Sequence, residues 1–272
     1  MTTKYLICSD IDGTLIRADQ TIPNENLEII LALQKAGHHF SVSTGRMYQG
    51  AYEVAQMISP ETDVIASNGS YATAGGKAFH QFFMEEEAAR ATYEILHHYD
   101  LPLFFFSTNE LFFTKTPPAF FQDLAEAKRL STGHGRFSLV PIHEVQAFEE
   151  HAPSFLNAIV VSEDAPEKLA EVRNVLEKEN GLRILSSHHN NLEVLPAGSD
   201  KAKAVELLAK HYEIPRENVI AFGDGENDIG MLEYAGISVA MANAPDNVKQ
   251  AADHITADNE MGGVAQFLRQ MF

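Results

Sequence analysis

The chain has 272 residues, of which 45% are hydrophobic and 21% charged, so we expect a globular core rather than general disorder. Its 38 acidic and 20 basic residues give a formal net charge of −18 at pH 7. A surface of this sign repels nucleic acid and anionic membranes, which argues against either as the main partner. An anionic small molecule would need a local metal ion or lysine to bind.

Cys8 is the only cysteine, so the chain cannot form an internal disulfide or a cysteine-based zinc site. No apolar run approaches the roughly 18 residues of a membrane-spanning helix. The segment Met1–Lys4 leads directly into an apolar strand and leaves no room for a signal peptide. We therefore expect a soluble, cytoplasmic protein.

The first 80 residues alternate between strand and helix patterns. Apolar runs and helical spacing predict strand 5–9, helix 24–37, strand 38–43, helix 48–57 and strand 63–66. Looser alternation predicts a short hairpin at 15–22, and the turn signals Asn68-Gly69 and Gly75-Gly76 predict another around them. This succession is typical of a doubly wound parallel sheet.

From about Phe83 the pattern changes to neighbouring strands with helices between them. We predict, in chain order, helix 85–98, strands 103–107 and 110–113, helix 120–128, strand 155–161, helix 169–176, and strands 182–186 and 191–195. These elements suggest an inserted α+β module, with an antiparallel sheet and helices on one face. We place this domain at residues 83–190.

The alternation of strand and helix patterns returns after Pro196. The pattern predicts a helix around 205–212, strand 219–222, helix 229–235, strand 237–240 and a last crossover at 248–252. These residues would complete the sheet of the first 80. The predicted fold is therefore an α/β protein with a doubly wound parallel-sheet core, formed by residues 1–82 and 191–272, and an inserted α+β domain.

Two carboxylates follow the first strand, in the segment Asp10-Ile11-Asp12-Gly13-Thr14-Leu15. Alternate side chains of an extended strand share a face, so Asp10 and Asp12 could enter one pocket beyond the carboxyl end of the sheet. Buried carboxylates need a partner, and Mg²⁺ favours such hard oxygen ligands beside a phosphate. The structural alternative is a solvated turn, for which Asp and Gly are common residues.

Two further positions suggest a phosphate site. Thr44 and Gly45 follow a strand and precede a helix, where a hydroxyl and main-chain N–H groups can hold phosphate, although an ordinary helix cap would look the same. Lys201 lies in the first turn of a predicted helix, where a cation opposes the helix dipole unless an anion is near. A solvated surface lysine is the alternative interpretation.

The segment Gly223-Asp224-Gly225-Glu226-Asn227-Asp228 follows another buried strand. Its carboxylates could complete a magnesium site, or could simply cap the next helix. A calcium-binding loop is excluded, because neither the glycine nor a terminal glutamate has the required spacing. All four clusters would meet at one edge of a parallel sheet.

Together these motifs resemble those of the haloacid dehalogenase superfamily of phosphatases, specifically the Cof-type members with a class IIB cap. The Asp10–Leu15 segment is similar to the first family motif, Ser43-Thr44-Gly45-Arg46 to the second, Lys201 to the third and residues 223–228 to the fourth. The insertion has the size of the family's cap. The resemblance implies a Rossmann-like core and hydrolysis of small phosphorylated metabolites.

The resemblance also implies residue roles. Asp10 would be the nucleophile that forms an aspartyl-phosphate, and Asp12 the general acid and base. Mg²⁺ would be bound by the Asp10 carboxylate, the Asp12 main-chain carbonyl and Asp224, with Asp228 as a further ligand or partner. Residues expected to hold the phosphoryl group are Thr44, Gly45, Lys201 and Asn227.

The inserted cap would exclude water and choose the substrate. Arg46 could contact the substrate or simply an acidic neighbour, and we leave it out of the catalytic set. His134, His188 and His189 are candidate substrate contacts, although we interpret them first as solvent-facing. Two alternatives remain open at this point. A phosphomutase would transfer the phosphoryl group to a sugar, and a receiver-type switch would store it on Asp10 without being an enzyme.

Overall fold

The computed structural model describes residues 3–129, 136–162, 166–186 and 190–272. The chain divides into two compact units. The first comprises Met1–Arg46, Gly50–His80 and Asp200–Phe272, and the second comprises Met47–Gln49 and Gln81–Ser199. Among the described residues, no helix is long and apolar enough to cross a membrane.

The helices and strands are numbered along the chain. The first stretch contains β1 (Leu6–Ser9), α1 (Asn24–Lys35), β2 (His39–Ser43), α2 (Tyr48–Ile58), β3 (Asp63–Ala66), β4 (Tyr71–Ala74) and β5 (Lys77–Gln81). The middle stretch contains α3 (Glu86–His98), β6 (Leu103–Phe106), β7 (Glu110–Phe113), α4 (Ala119–Lys128), β8 (Ser138–Pro141), α5 (Val145–His151), β9 (Asn157–Val161), α6 (Pro166–Leu176), β10 (Leu182–Leu185) and β11 (Asn191–Pro196). The last stretch contains α7 (Lys201–His211), β12 (Val219–Gly223), α8 (Ile229–Tyr234), β13 (Ile237–Ala240), α9 (Asp246–Gln250), β14 (His254–Ile255) and α10 (Gly263–Met271).

The first unit is built on an eight-stranded sheet in the order β14-β13-β12-β1-β2-β3-β4-β5. The six strands from β14 to β3 are parallel to their neighbours, and β4 is antiparallel to β3. All four residues of β1 are buried, because this strand lies between β12 and β2. The carboxyl ends of β1, β2 and β12 therefore lie at one edge of the sheet, as the predicted doubly wound core requires.

The predicted strands and helices of this unit are confirmed, but the hairpin at 15–22 is wrong. The structure has turns there and a single bridge between Asp12 and Ile16. Side-chain amides replace the missing strand partner: Asn26 donates to the Leu15 carbonyl and Asn259 to the Ile16 carbonyl. The carboxyl-terminal helix α10 was not predicted.

The second unit contains a six-stranded sheet in the order β10-β11-β9-β6-β7-β8. Its strand pairs are antiparallel except β7 with β8. On one face, Leu103 and Phe105 pack in a core with α3, α5 and α6. On the other face, Phe104 and Phe106 pack against Phe121 and Leu124 of α4. The prediction of helices on one face is therefore wrong, because alternate residues of β6 enter two separate cores.

The predicted return to the core at residue 191 also differs from the structure. Residues Asn191–Pro196 form β11, which pairs with β9 and β10 inside the six-stranded sheet. The first unit resumes only at Asp200. Proline at the end of β11 looked like a boundary before a helix, whereas the strand that precedes it belongs to the inserted sheet.

A buried carboxyl lies at the beginning of β3. Asp63 is 2% exposed and accepts hydrogen bonds from the Tyr212 hydroxyl at 2.8 Å and the Gly75 N–H at 2.9 Å. Burial raises the pKa of Asp63 from 3.8 to about 6, although these hydrogen bonds lower it. The folded protein therefore keeps this proton to a higher pH than the unfolded chain does. As a result, the free energy of unfolding decreases as the pH rises from the ordinary pKa of Asp63 to its raised pKa.

We expect Asp63→Asn to remove this pH dependence. Between about pH 4 and pH 7, the free energy of unfolding of the variant should improve relative to the wild type by about 2 kcal/mol. Urea unfolding at a series of pH values measures the difference. Asp246→Asn, at an exposed carboxyl in α9, is the matched control. A difference that stays constant with pH would show that Asp63 titrates normally.

Candidate active site

Asp10 lies just beyond β1, where its N–H donates to the Phe222 carbonyl at the end of β12. The chain then turns at Gly13, which has a φ of +75°. A Cβ at this position would overlap the Asp224 carboxylate, so only glycine allows the two segments to approach this closely. The next residue secures the contact, since the Thr14 hydroxyl donates to Asp224 Oδ1 at 2.6 Å.

Lys201 is the first residue of α7 and is 1% exposed. Asp200 caps the helix by accepting from the Ala202 N–H at 2.9 Å. Lys201 Nζ donates to Asp10 Oδ1 at 2.8 Å and to Asp228 Oδ1 at 2.7 Å. The alternative of a solvated surface lysine is therefore wrong: this ammonium group links two carboxylates in the interior.

Asp228 is fully buried and uses both carboxylate oxygens. Its Oδ1 binds Lys201, and its Oδ2 accepts from the N–H groups of Asp224 at 3.0 Å and Gly225 at 2.9 Å. These bonds fold the segment after β12 into a tight turn. Asn243 closes the other side by donating to the Gly13 carbonyl and to Asp224 Oδ2.

Burial raises the pKa of the Asp10 carboxyl well above its ordinary value, and the charge of Lys201 offsets this only in part. Burial also raises the pKa of Asp224 to about 6, against the hydrogen bond from Thr14. For Lys201, burial lowers the pKa, but the charges of Asp10 and Asp228 outweigh burial and raise it. The site thus concentrates negative charge around a single buried lysine.

The carboxylates of Asp10, Asp224 and Asp228 present oxygens that all lie within 4.8 Å of one another. Hard oxygen donors at this spacing are the ligands that Mg²⁺ prefers. The raised pKa values of Asp10 and Asp224 point the same way, because a cation would compensate for the cost of burying their charges. The residues present therefore fit a divalent cation.

The Asp12 side chain is not part of this cluster. It is 53% exposed and forms a two-pronged ion pair with Arg46, whose Nε and Nη2 lie 2.7 Å and 2.5 Å from its two oxygens. Burial lowers the pKa of Arg46, but the hydrogen bond and charge of Asp12 raise it overall. Arg46 also donates to Gln20. The sequence left two possibilities for Arg46, a substrate contact or an acidic neighbour, and the structure shows the second. Nothing in the sequence identifies that neighbour as Asp12, which lies 34 positions away.

Thr44 follows β2 and is 2% exposed. Its N–H donates to the Ile65 carbonyl at 2.9 Å, and its hydroxyl accepts from the Arg46 N–H at 3.1 Å. Helix α2 begins only at Tyr48, so Thr44 does not have the position of an ordinary cap. Gly45 is half-buried beside it.

Asn227 lies in the single turn of 3-10 helix that precedes α8. Its amide Nδ2 donates to Asn68 Oδ1 at 2.9 Å. In the sequence, only the turn signal Asn68-Gly69 marks this residue, and it does not indicate a contact with Asn227. The histidines proposed as substrate contacts, His134, His188 and His189, lie outside the described residues.

A model of the haloacid dehalogenase-like hydrolase family matches residues 7–268. The chain belongs to this family. Its fold and its class, a phosphatase of this family, are therefore as predicted, and the receiver-type alternative is not supported.

Two relatives match nearly the whole chain. The chain is 29% identical to 5-amino-6-(5-phospho-D-ribitylamino)uracil phosphatase YitU of Bacillus subtilis, over 100% of this chain and 98% of the relative. It is 26% identical to pyridoxal phosphate phosphatase YbhA of Escherichia coli, over 98% of each chain.

The structure is also similar to that of the HAD subclass IIB sugar phosphatase BT4131, with a TM-score of 0.77. This similarity covers 98% of both chains at 23% identity and concerns the fold.

Proposed function

We propose that the protein hydrolyses small phosphate monoesters in a Mg²⁺-dependent reaction through an aspartyl-phosphate on Asp10. One observation carries the proposal: a buried lysine is surrounded by Asp10 and Asp228, with Asp224 beside them, at the carboxyl ends of β1 and β12. Family membership supplies the reaction class. The roles below also draw on the motif resemblance.

In the first step, an Asp10 carboxylate oxygen attacks phosphorus as the bond to the ester oxygen breaks, and Asp12 gives a proton to the leaving alcohol. In the second step, Asp12 takes a proton from a water molecule, whose oxygen attacks the phosphoryl group. The bond between phosphorus and Asp10 breaks, which releases phosphate and restores the carboxylate. Each step consumes the protonation state that the other leaves on Asp12.

The ion pair with Arg46 determines where Asp12 can act. Both Asp12 oxygens accept from the guanidinium, so the carboxylate has a fixed direction. The exposed face of Asp12 is available to a substrate oxygen. Transfer of a proton to the leaving group requires at least one of these hydrogen bonds to loosen.

Asp10, Asp224 and the main-chain carbonyl of Asp12 would hold the magnesium ion. When bound, Mg²⁺ supplies positive charge that keeps Asp10 ionised and stabilises the charge on the phosphoryl oxygens. Asp228 already binds Lys201 and two main-chain N–H groups, which favours a role in orienting its neighbours over direct ligation. The phosphoryl group would be held by Thr44, Gly45, Lys201 and Asn227.

We assign the second unit, residues 81–199 with 47–49, as the cap that selects the substrate. The relatives' substrates are a phosphorylated ribitylamino-uracil and pyridoxal phosphate, which are both small phosphorylated metabolites. We propose a substrate of the same class for this chain. Its cytoplasmic location stays a prediction.

We expect the purified protein to release phosphate from a panel of sugar phosphates, pentitol phosphates, pyridoxal phosphate and p-nitrophenyl phosphate. Release should require Mg²⁺, stop with chelator and return when Mg²⁺ is restored in excess. Ranking kcat/KM over the panel would identify the substrate class. Equal release with and without Mg²⁺ would contradict the metal assignment, and no release from any ester would contradict the proposed function.

A further inference from the structure

The loop after β3 has an unusual backbone. Ser67, Asn68 and Gly69 have φ values of +49°, +51° and +94°, so three consecutive residues are left-handed. Glycine adopts this conformation freely and asparagine with some cost, whereas serine does so rarely. Such backbone persists only where surrounding contacts enforce it. The first two residues are indeed almost completely buried, at 0% and 2% exposure.

Main-chain hydrogen bonds tie this loop to the segment after β2. The Ser67 N–H donates to the Arg46 carbonyl at 2.8 Å, and the Asn68 N–H donates to the Thr44 carbonyl at 3.0 Å. These bonds connect the loop to the predicted phosphate seat. They also hold the main chain of its first two residues in place.

The loop also packs directly against the start of α7. A Cβ at Gly69 would overlap the main-chain carbonyl of Asp200 and lie 3.0 Å from the main-chain nitrogen of Lys201. The main chain of the loop and the main chain that carries Lys201 are therefore in contact. This contact limits the movement of the loop and so fixes the position of the Asn68 side chain.

The Asn68 side chain uses that position to hold Asn227. Its Oδ1 accepts from Asn227 Nδ2 at 2.9 Å, across 159 positions of sequence. Since asparagine tolerates left-handed backbone and also offers a side-chain carbonyl, it satisfies both requirements at this point.

We infer that Asn68 is a positioning residue, which orients the Asn227 amide toward the phosphoryl group while its own main chain is anchored on Thr44. The inference rests on the proposed function, because Asn227 is a phosphate-binding group only in that reaction. In this role Asn68 affects phosphate binding through Asn227 rather than through a contact of its own with the substrate.

Asn68→Gly is the first test, because glycine keeps the left-handed turn while the entire side-chain amide, including the acceptor for Asn227, is removed. Kinetics with p-nitrophenyl phosphate and Mg²⁺ give kcat and KM, and inhibition by inorganic phosphate gives its Ki. We expect KM and Ki to rise about threefold to tenfold, the usual effect of one lost hydrogen bond. The thermal midpoint of each variant measures whether its fold is retained.

Two further variants separate positioning from a general disturbance. Asn227→Ala should raise KM and Ki by a similar factor, and the double variant should be no worse than Asn227→Ala alone, because both changes remove one interaction. Ser67→Gly relaxes the adjacent left-handed residue, whose hydroxyl has no hydrogen-bond partner within the part of the chain that the structure describes. This variant should leave both constants unchanged.

Wild-type constants in Asn68→Gly, or effects that add fully in the double variant, would overturn the inference while leaving the proposed function intact. Failure of the proposed function would look different. The wild type would then release no more phosphate than Asp10→Asn does, and the positioning role of Asn68 would be contradicted as well.

Discussion

Asp10→Asn will abolish phosphate release, with kcat reduced by at least about 1,000-fold, because an amide cannot form the phosphorylated intermediate. The substitution should leave the fold intact. An asparagine oxygen can still accept from Lys201, and the neutral side chain removes the cost of burying a charge that the raised pKa of Asp10 indicates. The loss should therefore be chemical.

A rapid acid quench of the wild type during turnover should trap one phosphoryl group on Asp10, which peptide mass spectrometry can locate. The variant should show none. Asp246→Asn serves again as the control with an exposed carboxyl, and it should retain wild-type kcat. Phosphate release that survives in Asp10→Asn at more than a few per cent of the wild-type rate would be incompatible with this nucleophile.

Lys201→Met should damage both stability and activity. The lysine is the one cation that the described contacts place between Asp10 and Asp228, so its removal leaves two buried carboxylates without that compensation. Breaking a buried ion pair in this way costs about 3–5 kcal/mol of unfolding free energy. Chemical denaturation of the two proteins in parallel measures that difference.

Lys203→Met is the matched control for this prediction. Lys203 lies on the same helix, is 53% exposed and pairs with Glu206, so its loss should change stability by less than about 1 kcal/mol and leave kcat unchanged. If Lys201→Met unfolds at the same denaturant concentration as the control, the buried ion pairs do not contribute as the geometry implies. Wild-type kcat and KM in Lys201→Met would show that the lysine has no role in the reaction.

The general position of the candidate site could be predicted because it depends on chain direction alone. Asp10, Thr44 and Asp224 each follow a strand, and parallel strands present their carboxyl ends at a single edge. Spacing and residue type were enough for those groups. Lys201 was harder, since its burial depends on the depth at which α7 begins, and a helix pattern does not encode that depth.

Other features required tertiary contacts that no local pattern contains. The pair of Asp12 with Arg46 and the bond between Asn68 and Asn227 join distant segments. In the inserted unit, α5 and β8 are short and lack a clear period, so they were missed. The position of a helix on the second face of its sheet was not predicted for a related reason. The strand β6 is an unbroken apolar run, and such a run does not show which of its residues face which core.

The division of the chain has a consequence for how this protein can diverge. Every group that we propose for bond making, metal binding or phosphate binding lies in the first unit. Lys201 comes directly after Asp200, the residue at which the chain returns from the second unit to the first. The coding sequence for Gln81–Ser199 can therefore change in length and content without altering any of these groups. With the second unit as the proposed cap, chemistry and substrate selectivity would be inherited separately, and one reaction centre could stay unchanged while successive insertions recognise different metabolites.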